Sequence, residues 1–175
     1  MEIRIKSPLV WLSIALVAFG VVMRLLPHPA NLAPVGAIAL FGGAVLPRKV
    51  GWWLPVMVMV LSDVWIGAYH GILFTWLGFL LVGLFGMSLR GRSTWLRVPF
   101  GVAGSSVIFF GVSNYGVWLQ GQIYAHTWSG LWQCYVNALP FFRNTVLGDL
   151  IYATLLFGVY AVAESRVKSQ QKTTA

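Results

Sequence analysis

NALPFFRNTVLGDLIY, residues Asn137–Tyr152, decides how the chain is read. An apolar and aromatic run leads to Arg143. Asn144 or Thr145 is placed to cap a helix, and Asp149 falls inside that helix. Thr145, Asp149 and Tyr152 are spaced i, i+4, i+7 and share one helix face. Beyond Tyr152 the face turns apolar through Leu155, Leu156 and Val159. A carboxylate in a helix of this kind costs roughly 2.5–3.5 kcal/mol to bring into a bilayer, so it should face protein or a wet pocket. The sixth and last span is expected over Thr145–Ala163, with Asp149 roughly 6 Å below its start.

The surroundings are apolar throughout. Of 175 residues, 58% are hydrophobic and only 9% charged, and the mean hydropathy is +0.78. Soluble domains carry about 25% charged residues. The composition therefore predicts an all-α integral membrane protein of one domain, in contact with the lipid bilayer. The single cysteine, Cys134, excludes an internal disulfide and reads as a small buried residue. A net charge of +8 is explained by basic loops rather than by nucleic acid.

Working outward, five further apolar spans are expected. Pro8–Leu26 is long enough to span and lacks a small-residue cleavage site, so it reads as a first helix rather than a secretory signal. PHPAN, Pro27–Asn31, breaks it. Ala33–Leu46 is short, with Ala33, Gly36, Ala37, Gly43 and Ala44 suited to close packing. Val50–Gly67 ends near Asp63. Ile72–Leu89 and Val98–Leu119 follow. Gln120–Asn144 is expected as a long outer aromatic loop, too polar to span. The result is a bundle of six transmembrane helices, the second short; if that segment is re-entrant, the spans number five. With the termini cytoplasmic, Arg4, Lys6, Arg48, Lys49, Arg90, Arg92, Arg97, Arg166, Lys168 and Lys172 lie inside, against Arg24 and Arg143 outside. This is the positive-inside pattern of a bacterial plasma (inner) membrane protein.

That orientation gathers polar residues on the outer side. His28, His70 and His126 fall in outer loops, Asn31 ends the Pro27 loop, and Asn114 lies near the outer end of its helix. Asp63, Gly67 and His70 share a face if the helix continues. Two readings stand. In one, Asp149–Arg143 or Asp63–Arg24 are structural ion pairs. In the other, a single outward pocket is walled by aromatics and floored by the acids. Trp128, Trp132 and Tyr135 would share a face if their segment is helical, either as a stacking platform for a ligand or as an interfacial helix among headgroups. The histidines lack metal-ligand spacing, no cofactor is expected, and no catalytic motif or P-loop occurs. The chain is read as no enzyme, and any ATP-driven step needs another subunit.

The segments APVGAIALFGGAVLPRKVGW (Ala33–Trp52) and LPFFRNTVLGDL (Leu139–Leu150), with an acid near the end of the third helix, carry a resemblance. Over about residues 8–163 the chain resembles the substrate-binding S components of energy-coupling-factor vitamin transporters. It looks closer still to uncharacterised bacterial membrane proteins described as putative transport proteins. The resemblance implies six helices holding a vitamin-like solute near the outer surface under the loop between helices 1 and 2. It also implies a separate energising membrane subunit with ATPases. In the family an Ala-x-x-x-Ala face serves docking. Here that spacing occurs at Ala33–Ala37 on the second helix, while the first offers Ala15 and Ala18. The expected function is capture of a small polar or aromatic solute from outside for uptake. Asp149, Arg143 and Asn144 would fix its polar ends, with Trp128, Trp132 and Tyr135 stacking on it. Asn114, Asp63, His70, His28 and Asn31 complete the expected site. The rivals are a scaffold whose outer loops meet a partner, and an intramembrane enzyme using His and Asp.

Overall fold

A computed structural model describes residues 8–91 and 94–173, without the side chains of 94, 95, 97, 167, 168 and 170–173. Of the cations counted above, Arg4, Lys6 and Arg92, and the side chains of Arg97, Lys168 and Lys172, lie outside the described residues.

The described chain is helical, without a strand. The helices are α1 (Pro8–Leu25), α2 (Val35–Val45), a single turn α3 (Arg48–Gly51), α4 (Leu54–Ile66), α5 (Ile72–Ser88), α6 (Thr94–Leu119) and α7 (Trp128–Thr173). Among the described residues, four stretches are long and apolar enough to cross a membrane: Pro8–Leu25, Arg48–Ile66, Val98–Leu119 and Trp128–Arg166. The chain thus has the make-up of a membrane protein.

The organising element is α2. Its eleven residues rise about 17 Å, against roughly 30 Å of bilayer hydrocarbon, so it cannot cross alone. Every residue from Val35 to Ala44 is buried, and α2 packs against all six other helical segments. Proline sets both limits: Pro34 precedes the first turn, and Leu46 is extended before Pro47 (φ −75°, ψ 159°). The ends are met by charges of the right sign. Asp149 on α7 accepts the backbone N–H of Ala37 in the first turn, and the Arg90 guanidinium donates to the Leu46 carbonyl just past the last. A carboxylate at the N-terminus and a cation at the C-terminus complement the helix dipole.

Glycine allows α2 to come this close. A Cβ on Gly43 would meet the backbone of Gly83 and Gly86 on α5, and one on Gly86 would meet the Leu40 carbonyl. Neither neighbour is a flexible side chain that could turn aside. Around this crossing lie Ile38, Leu40, Phe41, Val58, Val82 and Phe157, all buried.

The last helix departs from expectation. The segment 120–144 is not one long loop. Only 120–127 is irregular, and α7 runs unbroken for 46 residues from Trp128. Thr127 is the cap, its Oγ1 accepting the Gly130 N–H at 3.1 Å. Asn144 and Thr145 lie mid-helix, and Thr145 Oγ1 donates back to the Phe141 carbonyl at 3.1 Å. Pro140 sits inside this helix. A proline there removes one backbone hydrogen bond, a loss that packing of the helix on both sides can offset. Asp149 is therefore about 32 Å along α7 rather than in its first turns.

Substituting Gly43 by alanine should destabilise the fold by about 1–3 kcal/mol, because two backbones must separate to admit the methyl. At Gly158, where nothing lies within 4 Å, the same change should be neutral or stabilise by up to about 1 kcal/mol through helix propensity. Thermal unfolding of the two variants in detergent checks the opposite signs.

Candidate functional site

Three connections lie together at one end of the bundle: 26–34 between α1 and α2, 67–71 between α4 and α5, and 120–127 between α6 and α7. Between and below them is a cavity of about 500 Å³. Its floor is the start of α2 beside Asp149, and its walls come from α5, α6 and the first half of α7.

The floor is polar and enclosed. Asp149 is 3% exposed. Its Oδ2 accepts from Ser106 at 3.0 Å and from Ser105 at 3.3 Å, both on α6. Gly36 on α2 lies directly against the carboxylate, leaving no room for a Cβ. Glycine at this position lets the acid reach the Ala37 N–H. The acid is thus one node joining α2, α6 and α7.

A second polar node lies in the wall. Arg24 Nη1 is 2.8 Å from Asp63 Oδ1 and also donates to Ser62 Oγ. Asp63 Oδ2 accepts from Trp76 Nε1 at 2.7 Å and from Tyr69 OH at 3.4 Å. Burial first, then the Asp63 carboxylate, push the Tyr69 phenol above its ordinary range, so it stays a neutral donor. Arg24 lines the cavity, with Asp63 behind it.

The loop before α2 is clasped over the floor. Asn31 takes a left-handed conformation (φ 62°), which asparagine tolerates better than most residues. Leu32 N–H closes a turn on the Pro29 carbonyl at 3.1 Å. Asn144 Nδ2 donates to the Ala30 carbonyl at 3.0 Å, and Gly148 lies under the backbone of Leu32.

The expected residues divide cleanly by position. Asp149, His28, Asn31, His70 and Asn114 line the one cavity. His70 reaches it from a loop, because α4 stops at Ile66 and Gly67 turns the chain at φ 88°, so Asp63, Gly67 and His70 do not form a continuous helical face. Of the two ion pairs considered, Arg24–Asp63 is present. Arg143 is exposed and forms no pair with Asp149; six positions earlier on α7, it points about 120° away around the helix. Asn144 holds the α1–α2 loop from beside the site. Trp128 and Trp132 are 86% and 74% exposed. They and Tyr135 do share a face, but with Leu131, Val136, Leu139 and Phe110 it forms an apolar outer surface off the cavity. Tyr135 is tied there by its hydroxyl to the Gly111 carbonyl at 2.6 Å.

What the sequence reading missed is the opposite stripe of α7. Cys134, Asn137, Ala138, Phe141 and Thr145 line the cavity beside the expected Asp149. The signal was available: the spacing that joins Thr145 to Asp149 continues upstream in steps of three and four, straight through Pro140. Arg24 and the serine pair were the other omissions. Two adjacent serines in an apolar helix are a visible signal for a partner acid, since buried hydroxyls need acceptors. Among the described residues, no group of three or more His, Cys, Asp or Glu is placed to hold a metal ion.

Removing either partner of the Arg24–Asp63 pair should cost roughly 3–5 kcal/mol, since the survivor is left charged and largely out of water. Arg24→Gln, Asp63→Asn and the double variant, melted side by side, should show the double costing less than the sum of the singles.

No curated protein and no solved structure matches the chain. Residues 5–172 match the model of DUF6580, a family of unknown function, and the chain belongs to that family.

Proposed function

We propose that this is a solute-binding membrane protein that captures a small polar or aromatic molecule at the outer face of a bacterial inner membrane for uptake. In this reading α1, α2, the α3–α4 pair, α5, α6 and α7 are its six membrane helices, with α2 short and enclosed, and the termini are cytoplasmic. The observation that carries the proposal is the cavity of about 500 Å³ at the loop-bearing end, with Asp149 in its floor and Arg24 in its wall. Ligand sites are typically concave, about 300–1,000 Å³, largely apolar and set with a few polar groups. Phe79, Phe109 and Phe141 supply the apolar wall. The loop 26–34 covers the floor and is held by Asn144, which suits it to closing over a ligand.

The broken helix adds support. In membrane transporters, short helices that end inside the protein commonly direct their termini at a binding site near the bilayer midplane, and α2 begins at the cavity floor. The reading agrees with the resemblance to S components, and in that arrangement a separate energising subunit with ATPases drives release inside. The role is binding and delivery rather than catalysis.

Purified protein titrated with a panel of vitamins and their precursors should show saturable binding by calorimetry. Asn114→Leu should weaken it about five- to tenfold through loss of a buried polar contact, while Trp128→Ala leaves it unchanged. Absence of binding across the panel, or binding that responds to Trp128→Ala and not to Asn114→Leu, would falsify the cavity reading. A topology reporter after Ala175 should be active in the cytoplasm and one at Gln122 outside; reversed signals would remove the outer-face assignment.

A further inference from the structure

We infer that the cavity is built to take an organic cation, a protonated amine carried on a small flat apolar body, in preference to an anion. The inference rests on the solute-binding reading above and specifies its ligand.

The first argument is charge. One strong base and one carboxylic acid line the cavity, Arg24 and Asp149. Arg24 is matched by Asp63 at 2.8 Å, so that pair sums to zero. Asp149 has no Lys, Arg or His nitrogen within 4.0 Å among the described residues. Its neighbours are the hydroxyls of Ser105 and Ser106 and the Ala37 N–H. A carboxylate offers about four lone-pair sites, and Ser105 also donates to the Val102 carbonyl at 3.1 Å, so one hydrogen is shared between two acceptors. The acid keeps accepting capacity towards the cavity.

The second argument is the direction of the hydrogen bonds. A hydroxyl has one hydrogen, and when that hydrogen is engaged only its lone pairs remain to face a ligand. Ser113 Oγ donates to the Phe109 carbonyl at 2.7 Å, and Thr145 Oγ1 to the Phe141 carbonyl at 3.1 Å. Both line the cavity and present acceptors. Asn114 and Asn137 direct their amide nitrogens at Phe110 O and Tyr124 OH, at 2.8 and 3.2 Å. Among the described residues their carbonyl oxygens accept no hydrogen bond. His28 Nδ1 lies 2.8 Å from the Pro29 carbonyl; a carbonyl only accepts, so Nδ1 carries the hydrogen of that contact. These side chains place several acceptors beside the Asp149 carboxyl group. An ammonium brings three donors and a positive charge, whereas a carboxylate would meet lone pairs. Phe79 and Phe109, stacked at 4.3 Å, add ring surface on which an apolar body packs and to which a cation is attracted.

The test uses three probes of one shape: 2-phenylethylammonium, 2-phenylethanol and 3-phenylpropanoate. Each is titrated calorimetrically into the full chain in detergent near neutral pH. The ammonium should bind at least about tenfold tighter than the alcohol, with the propanoate weakest. Asp149→Asn should bring ammonium and alcohol within about threefold of each other, its folding checked by thermal melting. Should that variant not fold, the parent ranking still decides. Thr145→Val then adds a second measure: loss of one acceptor should weaken the ammonium about two- to fivefold and leave the propanoate unaffected. A propanoate that binds as well as the ammonium, or a folded Asp149→Asn with unchanged ammonium affinity, overturns the inference while leaving a solute-binding cavity in place. Saturable binding by none of the three also overturns it, and the vitamin panel then decides the solute-binding reading on its own.

Discussion

A short helix enclosed by protein on every side must have both of its ends satisfied inside the molecule. Four N–H groups and four carbonyls at the ends of any helix lack partners within it, and at α2 bulk water cannot supply them all. Asp149 answers the first turn through Ala37; Arg90 answers the end through Leu46. Each charge also lies at the dipole end that favours it, an effect of up to about 2 kcal/mol when partly buried. Both groups come from elsewhere in the chain, Arg90 from just past α5 and Asp149 from α7. The central helix is thus held by interactions that exist only when the bundle is assembled.

The same requirement explains the glycines. To reach the first turn of α2, Asp149 needs the space that Gly36 leaves. For α5 to cover the other face at backbone distance, Gly43, Gly83 and Gly86 must carry no side chain. In lipid the hydrophobic effect gives helices little reason to associate, and close packing takes its place. Polar groups near the cavity follow the same economy. Asp63 is surrounded by Arg24, Trp76 and Tyr69, and Asp149 by two serines and a backbone amide. Among the described residues one acid is balanced by a cation and the other is not. The difference rests on the contact between Arg24 and Asp63.

The division between legible and illegible features follows length scale. The helical class, the apolar spans, the proline-bounded short segment and the gathering of His28, Asn31, His70, Asn114 and Asp149 at one end follow from composition and order, because bundle topology sends alternate connections to the same end. The run 120–144 was misread because polarity averaged over the whole stretch hides its periodicity. Its cavity-facing residues and its exposed tryptophans lie on opposite sides of one helix. Pro140 reads as a break when only the local backbone is considered, yet α7 continues through it.

The sequence by itself determined that this chain is helical and suited to a membrane, that its second apolar segment is unusually short, and that Asp149 needs a protected polar setting. Those conclusions follow from local quantities: hydropathy, helical spacing, proline stereochemistry and the cost of an isolated charge. Only the tertiary structure decided which partners those residues have. It chose Arg24 over Arg143 as the paired cation near the site, serine and a helix N-terminus as the partners of Asp149, and the face of α7 that looks inward. Such pairings depend on the rotation of each helix about its axis and on the close approach of segments more than a hundred residues apart, as when Asn144 meets Ala30, and no local pattern encodes either.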